Sequence, residues 1–421
     1  MNKLENKNFL KGAIWNTLGS TMYGMNSFLT LAIVSRIASV EETGAFGIAF
    51  TTAQILYIVG LLGTNHYQQT DYKEKYSFTE YKKSKRVACV LMLIGCCISI
   101  VGLQFSGRKL IYTILLTMLM MLNAIGELYQ SRFFQKNRLE LSGSCLFFRT
   151  IWSLIVFFLI AVITRQIAWA ICLQIVTNMG VTLYYVYKYK SELIEKEHTY
   201  SSEKNENYRN LIVECFPLFI SVFLMNIIIN ISKYCVELLM DDASQGYYNM
   251  IFIVAQAINL GSQFIFKPLL SKFATIIEQK EKKVFYKALL RQIGFIVVLT
   301  IVSVAFIGSY GTKILGSIYN KNIDDYRTAL VNITVAGGIF AIGQLMYYIF
   351  VLMREQKRIM YIYIVGMAFS TAIAYILVLK KGLEGAALSF ILGQCLIVLL
   401  YICNLKAIEH KNVRDESYSK K

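Results

Sequence analysis

Residues 188–209 read KYKSELIEKEHTYSSEKNENYR, the longest hydrophilic connector between apolar segments in a chain of 421 residues. On both sides of it the sequence follows one pattern, apolar blocks of about twenty residues joined by polar links. Twenty helical residues cross a hydrocarbon core of ~30 Å. Twelve such spans can be drawn, at 12–35, 43–63, 87–105, 109–129, 145–164, 167–187, 210–232, 246–266, 287–308, 328–352, 359–379 and 383–405. Six precede the connector and six follow it. In lipid each backbone amide needs a partner within its own segment, so the blocks read as helices. Barrel strands would be shorter and would alternate. The expected fold is an all-α polytopic membrane protein of about twelve transmembrane helices. Its N-terminal six-helix lobe is placed at 1–190, a cytoplasmic linker at 191–208, and a C-terminal six-helix lobe with its tail at 209–421.

Composition agrees with that reading. Hydrophobic residues make up 56% and charged residues only 16%, with a mean hydropathy of +0.50. Soluble domains carry roughly 25% charge, so a water-soluble enzyme of this size would lack polar surface. The formal net charge is +17. In a lipid-embedded chain this points to basic cytoplasmic loops, and no nucleic-acid partner is expected. Lys and Arg counted over alternate loops divide 32 to 10 in favour of the set that includes both chain ends, which places both termini in the cytoplasm. The first span carries Asn16, Ser20, Tyr23 and Asn26 and has no cleavage-like end, so it reads as retained.

The two halves echo each other. Glu41-Glu42 precedes Gly44 and Asp241-Asp242 precedes Gly246, and Ala53-Gln54 and Ala255-Gln256 follow at matching distances. The offset is 202 residues at both the Gly and the Gln. Six-helix halves of the same orientation make a parallel repeat about an axis along the membrane normal.

Polar residues inside the spans carry whatever chemistry there is. Asn226, Asn230, Lys233 and Glu237 share one face of span seven; Asn16, Ser20, Tyr23, Ser27 and Thr30 share one of span one; Gln256, Asn259, Gln263 and Lys267 share one of span eight. Two readings are open. The stripes line an aqueous cavity, or they are interhelical hydrogen bonds worth on the order of 1 kcal/mol each. Arg149 lies about a turn inside span five, where it either snorkels to the interface or meets substrate. Glu127 is within sequence reach of Arg132. The basic runs Lys82, Lys83, Lys85, Arg86 and Lys280, Lys282, Lys283 read first as topology determinants beside anionic headgroups. Pro217, inside span seven, is expected to kink it.

Several chemistries find no support. The nine cysteines fall mostly in apolar stretches (Cys96, Cys97, Cys172, Cys215, Cys395), where Cys acts as a small hydrophobe. His66, His198 and His410 are scattered. No metal, disulfide framework or cofactor is expected. There is no phosphate-cradling G-x-x-x-x-G-K-[ST] loop and no catalytic constellation, so the chain is not expected to be an enzyme.

The opening NFLKGAIWNTLGSTMYGMNSFLTLAIVSRIASVEETGAFGIAFTTAQIL, with its Ser35-Arg36 exit and Gly44-x-Phe46 entry, resembles the first two helices of the polysaccharide-repeat flippases. These belong to the multidrug/oligosaccharidyl-lipid/polysaccharide exporter superfamily. Asn65 to Asp71 with Tyr81 and Arg86, the connector SRFFQKNRLELSGSCLFFR, and Pro217, Gly246-Tyr247-Tyr248 and Lys267-Pro268 are similar to later parts of that family in the same order. The resemblance covers roughly 10–400 and implies two lobes that alternate between inward and outward access. It implies as substrate an undecaprenyl pyrophosphate-linked oligosaccharide bound for O-antigen, capsule or exopolysaccharide. It also implies a bacterial cytoplasmic membrane, surrounding lipids, and a polysaccharide polymerase and glycosyltransferases as partners. Cationic and polar groups would hold the substrate: Arg36, Arg149, Asn226, Asn230, Lys233, Gln256 and Lys267, with Asn16, Ser20, Tyr23 and Gln263 lining the cavity. Two competing readings are a cation-coupled small-molecule exporter, which would want a deeply buried carboxylate, and a membrane glycosyltransferase or polymerase, which would want a long outer loop.

Overall fold

The computed structural model describes residues 3–72, 74–193, 207–279 and 281–418. Most of the expected linker 191–208, including His198, lies outside the described residues, as does Lys280. Among the described residues the regular elements are helices and no strand occurs. They are α1 (Lys3–Ile37), α2 (Val40–Leu61), α3 (Thr64–Thr70), α4 (Phe78–Gly102), α5 (Gly107–Gln135), α6 (Leu139–Thr164), α7 (Ile167–Lys188), α8 (Lys190–Leu193) and α9 (Tyr208–Leu239). There follow α10 (Asp242–Phe266), α11 (Leu270–Glu278), α12 (Lys282–Tyr319), α13 (Arg327–Leu352) and α14 (Gln356–Tyr418). A 3-10 turn at Lys267–Leu269 joins α10 to α11.

Among the described residues, ten stretches are long and apolar enough to cross a membrane. The last of them, Gln356–Ile408, contains two expected spans, which meet at Gly382. There φ is +55° and ψ is −131°, a conformation that disfavours any side chain. The first expected span corresponds to α1, which is 35 residues long but too polar to be among the ten. Most helices overrun the expected spans because their end turns reach water. Several N-termini there are closed by side-chain oxygens: Ser39 accepts from the Glu42 amide at 3.2 Å, Ser77 from the Glu80 amide at 3.2 Å and Asp241 from the Ser244 amide at 2.8 Å.

The repeat read from the sequence is present in three dimensions. Ser39 and Asp241 are the N-caps of α2 and α10, and both they and their donors Glu42 and Ser244 are 202 residues apart. At the same offset, Phe46 packs on Phe50 at 5.8 Å between ring centroids and Tyr248 on Phe252 at 5.9 Å. Ala53 and Ala255, again 202 apart, are both wholly buried. Partners repeat as well. α2 packs on α5 as α10 packs on α13, and α4 flanks α5 as α12 flanks α13. α1 lies along α6 through close approach at Gly19, where a Cβ would sit 2.5 Å from the Gly143 carbonyl oxygen. In the second half Ile228 of α9 lies against Gly366 of α14. The third long helix of each half is the peripheral one: 22% of the apolar window of α4 and 6% of that of α12 is buried, the two lowest values of the ten stretches.

The chain divides into two compact units, one ending at Phe223 and one beginning at Leu224. That boundary lies beyond the polar connector, inside α9. The first turns of α9 belong with unit 1 because Tyr67 donates to Glu214 at 2.6 Å, Lys75 pairs with Glu214 at 2.6 Å and Cys215 packs on Gly63. α9 continues through Pro217 as one helix. The core of unit 1 gathers Phe46, Leu56, Met92, Leu116, Ala124 and Phe157; that of unit 2 includes the rings of Phe252, Phe340 and Phe390.

Candidate functional site

Unit 1 holds a polar interior built from α1, α2, α4, α5, α6 and α7. Arg149 stands on α6 with 1% of its surface exposed. Snorkelling, one of the two readings open for it, does not occur. Its guanidinium turns toward α5, where Gly126 leaves the room. A Cβ at 126 would overlap Nη1 and lie 3.0 Å from Cζ, and it would face Thr182 of α7 at 3.6 Å. Nη1 and Nη2 are both buried and lack a hydrogen-bond partner among the described residues. A charge inside a membrane bundle is costly, and a guanidinium offers five donors in a fork suited to carboxylate or phosphate. An arginine held there with both terminal nitrogens open is a ready anion receptor.

A second cation lies in the same unit. Lys85 is 4% exposed and donates to the Gly60 carbonyl oxygen at 2.7 Å. The sequence groups it with Lys82, Lys83 and Arg86 as a loop charge, and the structure corrects this. α4 begins at Phe78, well before the expected start at 87, so Lys85 sits about two turns inside the helix on the face toward α2. Tyr23 of α1 and Tyr57 of α2 pack 6.4 Å apart, and both feel the charges of Arg149 and Glu127. Asn178 donates to Asn123 at 2.9 Å, while its own Oδ1 and Gln174 Oε1 are buried without partners among the described residues. Glu127 does not pair with Arg132. Arg132, five residues on and facing another way, donates to Glu74 at 3.1 Å and Gln135 at 2.8 Å and lies over the Phe78 ring.

The remaining candidates in unit 1 are more open. Asn16 and Tyr23 are partly buried, Ser20 is exposed, and Arg36 is exposed in the last turn of α1. In unit 2 Lys233 is buried and its ammonium lies 4.2 Å from the centre of the Phe252 ring. Asn230 is buried and its amide donates to the Asn226 carbonyl at 2.9 Å, a bond within its own helix. Gln256 and Gln263 are partly buried. Lys267 is exposed at the end of α10, 5.7 Å from the Tyr348 ring centre. The structure thus brings Arg149 and Tyr23 together in unit 1, and Asn226 and Asn230 in unit 2. Missed by the sequence reading are Lys85, whose neighbours in sequence are all loop-like, and Gly126, a glycine that carries no polarity signal.

Beside this interior the segment after α2 is locked by one carboxylate. Asp71 accepts from the Lys75 amide at 2.8 Å, the Tyr76 amide at 3.2 Å and the Tyr81 hydroxyl at 3.0 Å. Glu74 adds ion pairs to Arg132 and Lys136. Partial burial pushes the Glu74 carboxyl up, but the Lys136 ammonium and Arg132 guanidinium outweigh it and hold the group below the ordinary glutamate value. The stretch of sequence that resembles a family motif is thus a structural clasp.

Solved structures of similar fold include transporters of the MOP superfamily. An inward-facing multidrug resistance transporter of the MATE family and MOP superfamily aligns with a TM-score of 0.70 at 13% identity, over 92% of this chain and 96% of that one. The lipid II flippase MurJ in an inward closed conformation aligns with a TM-score of 0.72 at 14% identity, over 94% of this chain and 87% of that one. The MATE transporter VcmN of Vibrio cholerae gives 0.61 at 11% identity, over 95% and 97%. Among curated proteins none matches the sequence. The fold is therefore that of the two-lobe MOP transporters, in a multi-pass membrane protein. The family model described as polysaccharide biosynthesis protein matches residues 9–274, and the chain belongs to that family.

Proposed function

We propose that the chain is a flippase that carries an undecaprenyl pyrophosphate-linked oligosaccharide across the cytoplasmic membrane of a bacterium, with both termini inside. It works by alternating access and feeds assembly of O-antigen, capsule or exopolysaccharide. The observation that carries the reading is the sealed, unpartnered guanidinium of Arg149. A membrane chain retains such a group for a task, and in the polysaccharide biosynthesis family the fitting anion is a lipid-linked sugar phosphate. On this reading Arg149 and Lys85 are the positive pole of unit 1. Lys233, Lys267 and Arg36 add charge, and Asn16, Ser20, Tyr23, Asn226, Asn230, Gln256 and Gln263 offer hydrogen bonds to the sugar. The prenyl tail stays in lipid. The chain itself breaks no bond; a polymerase and glycosyltransferases act before and after it.

The test is translocation of a pyrophosphate-linked sugar lipid by purified protein in proteoliposomes. Arg149→Ala should abolish it while membrane insertion is intact, and unchanged translocation would remove Arg149 from the site. A cation-coupled exporter of small molecules is the second reading, and Glu127, a carboxylate on α5 near Tyr23, Tyr57 and Lys85, favours it. Drug efflux by the wild type that Glu127→Gln abolishes, with no sugar-lipid translocation by the wild type, would decide for that reading.

A further inference from the structure

We infer that the outer face of α12 is a docking track for an anionic phospholipid of the leaflet its basic end reaches. Lys283, Lys287 and Arg291 succeed one another at four-residue steps, so they rise in one stripe about 12 Å long. All three are exposed. Among the described residues none is in an ion pair. The helix has no acidic residue from Lys282 to Tyr319. Glu281 caps α12 two residues before Lys283, which places it on the opposite side of the helix, and Glu278 belongs to α11.

The same face then turns apolar. Phe295, Val298, Val302 and Phe306 follow with 41%, 59%, 60% and 53% of their surfaces exposed. No charge interrupts the helix between Arg291 and Lys313, a run of about 31 Å that matches the hydrocarbon core. The cations therefore stand at headgroup level, directly over a strip fit for an acyl chain.

The repeat supplies the comparison that separates docking from topology alone. α4, the counterpart of α12, also begins with basic residues and is the other peripheral helix. There the charges are largely engaged: Lys83 pairs with Glu80 at 2.8 Å, Lys82 lies 4.4 Å from the Phe78 ring centre, and Lys85 points inward. Setting orientation needs only that basic residues be present. Leaving three in register and unpaired, on α12 but not on α4, is what a phosphate headgroup requires.

The experiment uses the full chain in nanodiscs, with phosphatidylglycerol against phosphatidylcholine as probes and retained lipid read by native mass spectrometry. Wild type should retain phosphatidylglycerol preferentially. The K283Q/K287Q/R291Q variant should lose about 10- to 100-fold of that preference, and K83Q/R86Q on α4 should change it less than about threefold. Equal loss from both variants would reduce the stripe to a topology signal and overturn the inference, as would undiminished preference in the triple variant. Loss of undecaprenyl pyrophosphate with phosphatidylglycerol retained would overturn it too, and make the stripe a stop for substrate. Where the triple variant fails to insert, single neutralisations of Lys287 and Arg291 should each remove a part of the preference, and no loss from either would be fatal.

Discussion

Gly126→Ala should disable the unit-1 site while leaving the bundle standing. The added methyl would overlap Nη1 of Arg149 and stand 3.0 Å from Cζ, against a relaxed contact near 3.5–4.0 Å. The end of the guanidinium must retreat by about 2 Å. Alanine in a helix interior gains roughly 0.5–1 kcal/mol over glycine, and forced repacking costs roughly 1–3 kcal/mol. The net change in stability is then between about zero and −2.5 kcal/mol, a modest fall in thermal midpoint. Affinity for the anion suffers more. Losing the alignment of one charge-assisted hydrogen bond costs about 1.5–3 kcal/mol, on the order of 10- to 100-fold. Thermal unfolding in detergent and sugar-lipid translocation in proteoliposomes would read the two effects separately. If the effect passes through Arg149, the substitution should be silent, within about 0.5 kcal/mol, in an Arg149→Met background. An undiminished rate in the single variant, or an equal fall in thermal midpoint in both backgrounds, would refute the reasoning.

Arg149→Met should abolish translocation yet leave the thermal midpoint unchanged or raised, because it replaces an unpaired buried charge by packing worth about 1–4 kcal/mol; a large drop in midpoint would make Arg149 a structural residue. Glu74 has a pKa below its unfolded value, so its contribution to the clasp is full above the unfolded carboxylate range near 4.3. It disappears as pH falls through the lowered folded value. Glu74→Gln should remove that acid-side loss, as seen in thermal midpoints measured between pH 3 and pH 6. Gly382→Ala should destabilise unit 2 by about 1–3 kcal/mol, since a side chain at φ +55°, ψ −131° is strained; an unchanged midpoint would show that the chain turns there without strain.

Much of the architecture was legible in the residues. The spans follow from block length, and the repeat from a handful of positions at one offset, because the same caps and the same buried aromatic pairs recur. The site was legible only in part. Arg149 was visible as a charge within an apolar run, but its direction depends on Gly126 across the helix pair, and linear order does not encode that contact. Lys85 hid among loop cations because polarity marks where a helix leaves lipid, not where it starts; Ser77 begins α4 two turns before Lys85. The pair Glu127–Arg132 looked reachable by number, yet five residues along a helix point the two side chains apart.

The paired rings at matching places in the two halves bear on ancestry. Phe46 beside Phe50 and Tyr248 beside Phe252 occupy equivalent seats, as a gene that doubled and fused would leave them, while the buried cations of the two halves differ. One copy kept a guanidinium against a glycine, the other an ammonium against a ring. Descent of both halves from a single shorter chain would explain why the scaffold is held in common and the charges are not.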